Sequence, residues 1–528
     1  MKKALKILSV FLSVILLFCA CGKQTPTPAE NPAESTTASG ETPSNTDGNV
    51  RLPYNAADGV NPFFAKSYEN LYLTRLLYMP LFTVTSSYDV EPLVAASINI
   101  NGKTATVSIK SGLKCHGSGN ITPQDVVYSF NKAKASYAYS EMLKSVESAS
   151  ASGGSVVFTS SFEDNFVALK LVFPIVKENT AELQTDTPIG SGQYYFYENK
   201  LISTADESKT VELTSVNTSD SSLNAYKIGN TDIFFTDLAD CNYTGLYGNY
   251  TPADLNNVVY LGFNENLGGL NKNIRSAISV LLNSEDIAEA CYQGHAIPSK
   301  APCNPNWSVY KAITDGKLNT AGDEERAKQI IDRCGYTRYA GKALTNGAYV
   351  LSFSLIVNAD NKYRVAAAYS VADALNQAGF HILVEPLSFE DYSERIASGN
   401  YDMYIGEIKL DYSMDLSKLF NKVQEETEKA EEAEEATNTE NTEATQEARK
   451  TAKDDLNKVW QSYLQMRAGK ISYAEFYRVF VEYHPFVPLV FRTGAVFSSN
   501  NFGSDFSHFP CDLYSPTYGL EGNYELFS

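Results

Sequence analysis

The strongest constraint on the fold is an alternation of short β-strand patterns with amphipathic helix patterns along the body of the chain. Residues 104–109 alternate in hydropathy as a half-buried strand does. Residues 122–125, Thr-Pro-Gln-Asp, form a helix start, with Thr as the N-cap and Pro at the first helical position. A second helix pattern at 369–378 is followed by strand patterns at 381–384 and 401–408. This alternation predicts an α/β fold with mixed sheets.

The composition predicts a large folded body and excludes several partners. A length of 528 residues with 43% hydrophobic residues suffices for about three ordinary domains or two large lobes. The net charge of −19 argues against nucleic acid as a partner. Five histidines leave little material for a metal centre, and no cofactor is expected. The six cysteines after position 21 lack Cys-x-x-Cys spacing and are expected to be mostly buried thiols, with a Cys291–Cys303 bridge left open.

The first residues predict export and a lipid anchor. Three lysines among the first six residues precede the apolar run 7–18, which is shorter than the roughly 20 residues that span a bilayer. The run leads to Cys21, which follows a small residue and precedes Gly, as in a bacterial lipoprotein cleavage box. We therefore expect a signal peptide over 1–20, lipidation of Cys21 and extracytoplasmic attachment to the bacterial cell membrane, with ordinary secretion as the alternative. The proline-containing residues 21–49 are expected to form a flexible stalk.

One segment departs from the α/β pattern. Residues 424–447 contain ten Glu and one Lys, a net charge of −9. The low-complexity stretch 424–455 is therefore predicted to be a solvated insertion, either helical or disordered. An amphipathic helix pattern resumes at 456–464.

Seven segments, in order along the chain, resemble a known family. The most specific is 110–129, reading KSGLKCHGSGNITPQDVVYS, which combines turn glycines with the capped helix start. The others are shorter motifs at residues 61–62, 77–81 with 91–95, 188–194, 229–233, 264 with 273–278, and 485–489. Together they resemble the extracellular solute-binding proteins of bacterial ABC importers, in the peptide/nickel class known as family 5.

The resemblance implies a fold and a domain arrangement. The fold is the α/β fold of type II periplasmic binding proteins, in which two lobes with mixed sheets close about a hinge and a satellite domain packs against the first lobe. The implied boundaries are 50–80, 190–265 and 485–528 for the first lobe, 81–189 for the satellite domain and 266–484 for the second lobe. His116, within the satellite domain, is expected to be structural.

The resemblance also implies where a ligand would bind. Peptide-binding members pair an Asp of the second lobe with the ligand's α-ammonium group, within a Gly-Trp-x-x-Asp-Tyr pattern that residues 407–412 match at the Asp and the Tyr. An ammonium group needs a carboxylate in a dehydrated cleft, where a charge-assisted bond contributes about 1.5–3 kcal/mol. Asp411 is the first candidate for this contact and Asp415 the second. The other expected contacts are Glu407, Tyr412, Tyr404, Trp307 and Asn70. Core packing or helix capping is the alternative for these positions.

The implied function is transport without catalysis. The protein would be a lipid-anchored monomer that captures extracellular oligopeptides and delivers them to an ABC permease. Two alternatives stay open: the same fold binding an oligosaccharide or metal chelate, and a surface sensor or adhesin. A secreted hydrolase is disfavoured because the sequence contains no Gly-x-Ser-x-Gly, His-Glu-x-x-His or P-loop motif.

Overall fold

The computed structural model describes residues 50–117, 119–237, 246, 248–264, 267–314, 320–338, 343–420 and 443–499. These residues all belong to one compact unit. The predicted signal peptide, Cys21, the stalk and most of the acidic stretch lie outside the described residues. Within the described ranges, no helix combines the length and the apolar character needed to cross a membrane.

The chain alternates between strands and helices. The strands are β1 (Arg51–Tyr54), β2 (Phe82–Val84), β3 (Val90–Pro92), β4 (Ala95–Asn101), β5 (Thr104–Ile109), β6 (Val146–Ser152), β7 (Ser155–Ser160), β8 (Tyr194–Tyr197), β9 (Lys200–Ser203), β10 (Thr210–Ser215), β11 (Ile233–Thr236), β12 (Asn249–Phe263), β13 (Ala296–Pro298), β14 (Ser352–Asn358), β15 (His381–Leu387), β16 (Met403–Lys409) and β17 (Phe486–Ser498). The helices are α1 (Tyr68–Leu77), α2 (Pro123–Lys134), α3 (Ser219–Lys227), α4 (Lys272–Leu281), α5 (Ser308–Thr314), α6 (Glu324–Arg333), α7 (Lys362–Gln377), α8 (Phe389–Ala397), α9 (Glu443–Arg467) and α10 (Tyr473–Tyr483). Shorter helical turns occur at Val167–Lys170, Gly268–Leu270, Ser284–Asp286 and Ile287–Cys291.

The predicted elements are present, with some ends shifted. The Thr122 hydroxyl accepts a hydrogen bond from the Asp125 N–H, and the Asp125 carboxylate accepts one from the Thr122 N–H, so α2 starts where predicted. The helix predicted at 369–378 begins earlier because the Asn361 side chain caps it. Cys291 and Cys303 are free thiols, so the bridge left open by the sequence is not formed.

Two four-stranded sheets come from the first part of the chain. One has the order β1-β10-β9-β8, and its β1 runs parallel to β10. The other has the order β4-β5-β7-β6 with antiparallel pairs throughout. Helix α2 packs on this second sheet, where Phe130 lies edge-on to Phe158 with ring centroids 5.6 Å apart. The short strands β2 and β3 form a separate antiparallel pair.

The largest sheet has the order β11-β17-β12-β16-β14-β15, and β13 pairs with β17. Strand β14 runs parallel to β15 and β16, whereas the other pairs are antiparallel, so the sheet is mixed as predicted. Because successive strand residues face opposite sides, Val258 packs in one hydrophobic core and Val259 in another.

The pairing of β12 with β17 is interrupted at one point. The register shifts between Asp254 and Asn257, and Asn256 adopts a φ of 56°, a left-handed conformation that Asn tolerates better than most residues. The Asn256 carbonyl accepts a hydrogen bond of 2.9 Å from Leu410 N. The segment that carries the predicted ligand contacts therefore leaves β16 beside this irregularity.

Candidate functional site

The segment after β16 folds into a turn that Asp411 caps. Asp411 Oδ1 accepts hydrogen bonds from Ser413 N at 2.9 Å, from the Ser413 hydroxyl at 2.8 Å and from Asp415 N at 3.1 Å. The other oxygen, Oδ2, accepts no hydrogen bond from any residue that the structure describes. Asp411 therefore shapes the turn with one oxygen and keeps the second available.

Among the residues that the structure describes, Lys170 is the cation that pairs with both aspartates. It ends the turn Val167–Lys170, and its side chain is 1% exposed. The ammonium pairs directly with Asp415 Oδ2, whereas its distance to Asp411 Oδ2 is 3.9 Å. Asp415 is therefore the main partner of Lys170, and Asp411 is a distant one.

Arg467, at the end of α9, completes this group. Its buried guanidinium donates hydrogen bonds of 2.6 Å to Asp164 Oδ2 and to Ser413 O. Tyr463, one turn earlier, donates to Asp415 Oδ1 at 2.8 Å. The carboxylate cluster is defined as Asp164, Lys170, Asp411, Asp415 and Arg467. Its three carboxylates and two cations leave one net negative charge.

The pKa values of the two aspartates that follow β16 are shifted in opposite directions. Burial raises the pKa of Asp415, but Lys170 and Arg467 outweigh this effect and hold that pKa well below its usual range. Burial also raises the pKa of Asp411, and there the opposing effect of Lys170 is too small to reverse it. The Asp411 side chain is 11% exposed. A cation that reached Oδ2 would meet an undercompensated carboxylate in surroundings of low dielectric constant.

Glu407 belongs to a different group of charges. Its Oε1 accepts hydrogen bonds from Asn257 Nδ2 at 2.7 Å and from Arg492 at 2.6 Å. Arg364 Nε lies 3.6 Å from Glu407 Oε2. Arg492 also pairs with Asp237. Glu407 therefore binds protein cations, and any contact with a ligand would involve these neighbours as well.

Two predicted aromatic contacts, Trp307 and Tyr404, are core residues. Trp307 is 2% exposed, and its ring centroid lies 5.3 Å from those of Phe166 and Tyr473. Tyr404 is 4% exposed and lies edge-on to Tyr260. These positions have the packing that was the alternative to a ligand contact, and their ligand roles stay predictions.

Asn70 and His116 support the backbone around them. The Asn70 amide donates to the Asn55 carbonyl at 2.7 Å and to the Gly59 carbonyl at 2.6 Å, which organises the loop before α1. His116 Nε2 lies 3.0 Å from the Gly192 carbonyl oxygen, in keeping with a structural residue. Tyr412 is half-buried and packs against the larger hydrophobic core.

Sequence reasoning missed both cations of the carboxylate cluster. Lys170 stands alone among the apolar residues of 167–176, and a lone Lys in such a stretch is a signal of a buried ion pair. Arg467 has no comparable signal, because its partner Asp164 is 303 positions away.

A polar network around the β12 irregularity was also missed. The Tyr88 hydroxyl donates to Asn256 Oδ1 at 2.6 Å, and Asn304 Nδ2 donates to the same oxygen at 2.7 Å. Asn306 Nδ2 donates to Asp254 Oδ2 at 3.0 Å. The loops that carry Tyr88 and Asn304 are thereby hydrogen-bonded to β12 at its register shift.

Comparison of the sequence with known proteins gives two matches over most of the chain. A family model for bacterial extracellular solute-binding proteins, family 5 Middle, matches residues 89–428. The oligopeptide-binding protein AppA of Bacillus subtilis (strain 168) is 25% identical over 442 residues, which cover 76% of this chain and 79% of AppA.

Comparison of the structure gives the same fold. The structure of AppA from Bacillus subtilis in complex with a nonapeptide aligns with a TM-score of 0.51 at 19% identity, over 89% of this chain and 97% of AppA. A nickel ABC transporter protein from Bacillus halodurans aligns with a TM-score of 0.65 at 14% identity, over 88% of this chain and 98% of that chain. The predicted α/β fold of type II periplasmic binding proteins is thus confirmed.

Proposed function

Because this chain belongs to the bacterial extracellular solute-binding proteins of family 5, we propose that it is the lipid-anchored component of an ABC importer that captures oligopeptides. The family serves transport by binding substrates, not by catalysis, and its members act outside the cytoplasm with permease subunits as partners. The similarity to an oligopeptide-binding protein supports a peptide as the solute.

The observation that supports a peptide is the incomplete charge compensation of the Asp411 carboxylate. Its Oδ2 lies 3.9 Å from the Lys170 ammonium, in a cluster with an excess of one negative charge. The α-ammonium group of a peptide is a compact cation with three donors, and it would neutralise that excess. Such a charge-assisted contact contributes about 1.5–3 kcal/mol. Asp415, committed to Lys170, would hold the cluster together and not bind the ligand directly.

With the proposed domain boundaries, the carboxylate cluster contains residues from two domains. Asp164 and Lys170 belong to the proposed satellite domain, 81–189, whereas Asp411, Asp415 and Arg467 belong to the proposed second lobe, 266–484. An ammonium bound at Asp411 would therefore lie beside a junction of domains, where closure removes water from the ligand. The proposed anchor is Cys21, and the proposed state is a monomer.

Mass spectrometry of the solute released from natively purified protein lacking residues 1–21 tests this function. We expect peptides, and a mixed peptide pool should raise the melting temperature of the emptied protein. Release of a sugar or a metal chelate, with no thermal shift from peptides, would favour the alternative solutes. Peptide uptake that is unchanged when the gene is deleted would favour a sensor or adhesin.

A further inference from the structure

The hydrogen bonds of Lys170 are shared unequally among the acids of the carboxylate cluster. Its ammonium has three N–H donors, and it donates to Asp415 Oδ2 and to Ser145 Oγ, the latter at 2.7 Å. Two further carboxylate oxygens lie beyond hydrogen-bond distance of this ammonium, Asp164 Oδ2 at 3.6 Å and Asp411 Oδ2 at 3.9 Å. Lys170 therefore stabilises the charged form of Asp415 more than that of Asp411.

Arg467 does not supply the cation that Asp411 lacks. Its guanidinium donates to Asp164 Oδ2 at 2.6 Å, to Ser413 O at 2.6 Å and to the Ser413 hydroxyl at 3.1 Å. None of these bonds reaches Asp411. Among the residues that the structure describes, Asp415 thus has Lys170 as its main cation and Asp164 has Arg467, whereas Asp411 has no cation in hydrogen-bond contact.

Asp411 is close to another carboxylate and largely shielded from water. Its Oδ1 accepts a hydrogen bond from Asp415 N at 3.1 Å, so the two acids belong to one turn, and its side chain is 11% exposed. A neighbouring negative charge and the removal of water both favour the protonated form of a carboxyl group. In keeping with this, burial raises the pKa of Asp411, Lys170 opposes the rise incompletely, and Asp415 adds to it.

The other titratable groups of the cluster keep their charge. Burial raises the pKa of Asp415, but Lys170 and Arg467 outweigh it and keep that acid ionised. Burial lowers the pKa values of Lys170 and Arg467, but the nearby carboxylates outweigh it and keep both cations protonated. Tyr463, which donates to Asp415 Oδ1, stays neutral because burial raises its pKa further. Of these groups, Asp411 is the one whose charge can change in mildly acidic solution.

We propose that the empty protein takes up a proton at Asp411 Oδ2 in mildly acidic solution and exchanges it for the ammonium group of the solute. The O–H bond of the carboxyl group breaks, the proton passes to water, and the carboxylate that remains pairs with the ammonium. The cluster is then neutral before and after binding, with two carboxylates and two cations when empty and three of each when occupied.

This inference rests on the proposed function, in which Asp411 binds a peptide ammonium, and adds that binding depends on pH. The proton and the solute compete for the same oxygen. Acid should therefore release a peptide that is held at neutral pH.

Proton release on binding is measured with a pH-indicator dye in weakly buffered solution. The probes are a pool of di- to pentapeptides with free amino termini and the same pool after N-acetylation, used at saturation between about pH 5 and 6.5, where a peptide ammonium is fully charged. We expect the free-amine pool to release roughly 0.3 to 1 proton per protein, and its affinity to fall about two- to ten-fold per pH unit on acidification. The N-acetylated pool should release none.

The empty protein supplies a readout that needs no peptide. An acid whose pKa is higher in the folded than in the unfolded state lowers the free energy of unfolding at neutral pH, and this loss is recovered as the pH falls. Asp411→Asn removes that acid, so relative to wild-type protein it should be more stable at pH 7.5 than at pH 5. Asp373→Asn, at an exposed acid of α7, is the matched control and should differ from wild type equally at both pH values.

The outcomes separate the exchange from the function on which it rests. Failure of the free-amine pool to bind at any pH would overturn the proposed function. Binding of that pool without proton release, or release that persists unchanged in Asp411→Asn, would overturn the exchange alone. The same pH dependence of unfolding in wild-type protein and in Asp411→Asn would also overturn it, because Asp411 would then keep its charge.

Discussion

Lys170 and Asp415 form a buried ion pair across 245 positions of the chain. The pair joins the turn at Val167–Lys170 to the segment that follows β16. It gives one aspartate of that segment a full partner and leaves Asp411 with only a distant one. The two carboxylates therefore differ in charge compensation, because Lys170 contacts Asp415 directly and lies 3.9 Å from Asp411.

Replacing this lysine should destabilise the protein. Lys170→Met leaves three buried or nearly buried carboxylates with only Arg467 as a cation, and breaking such a pair typically costs about 3–5 kcal/mol. Urea unfolding at neutral pH measures this loss. The double variant Lys170→Met/Asp415→Asn should recover part of it, because it removes one uncompensated charge.

A surface pair supplies the control for that experiment. Lys132 pairs with Glu182 at 2.6 Å, but their side chains are 28% and 53% exposed. Lys132→Met should therefore change the unfolding free energy little, because water compensates an exposed charge. Equal effects of Lys132→Met and Lys170→Met would show that the buried cluster is not held by its ion pairs.

Features that depend on neighbouring residues could be predicted from the sequence, whereas features that depend on contacts between distant positions could not. The start of α2 was predictable because Thr122 and Asp125 are three positions apart and satisfy each other. The carboxylate cluster was not, since its contacts join positions hundreds of residues apart. Asp411 was identified because it and Tyr412 match the family pattern, but the charge compensation of its carboxylate depends on the distant Lys170. Trp307 was expected at a lobe interface, and no local pattern distinguishes that setting from its observed core packing.

Acid should weaken the fold through His484. Burial, with Arg275 and Lys300, lowers the pKa of His484 to about 3, whereas an unfolded His titrates near 6.5. The unfolded state therefore binds the proton first. The contribution of His484 to the free energy of unfolding is therefore fully present above about pH 6.5. It falls by about 1.4 kcal/mol per pH unit as the pH drops from there toward 3.

His484→Asn should reduce that slope. Asn tolerates the left-handed backbone at this position, where φ is 43°. Urea unfolding between pH 4 and 7 measures the slope, and His381→Asn, at an exposed histidine of β15, is the control. A slope that is the same in wild-type protein and in His484→Asn would assign the acid sensitivity to other groups.

The anchor proposal predicts a difference between two neighbouring cysteines. Cys21→Ser should move the protein from the membrane fraction to the medium, because the acylated residue is lost. Cys19→Ser, two positions earlier, should leave it in the membrane fraction. Detergent-phase partitioning of cells that express each variant measures the outcome. Release of both variants, or retention of both, would contradict lipidation at Cys21.

A substitution of Asp411 tests whether this residue binds the ammonium group of a peptide. Asp411→Asn keeps an oxygen that can accept the hydrogen bonds of Ser413 and Asp415, so the turn should persist while the charge is lost. Glu147→Gln, at an exposed acid of β6, is the matched control.

The measurement is the affinity of each variant for a free-amine peptide pool and for the same pool after N-acetylation. We predict that Asp411→Asn weakens free-amine binding about ten- to a hundred-fold, weakens acetylated binding far less, and that Glu147→Gln changes neither. Equal loss for the two pools, or no loss for either, would contradict the account.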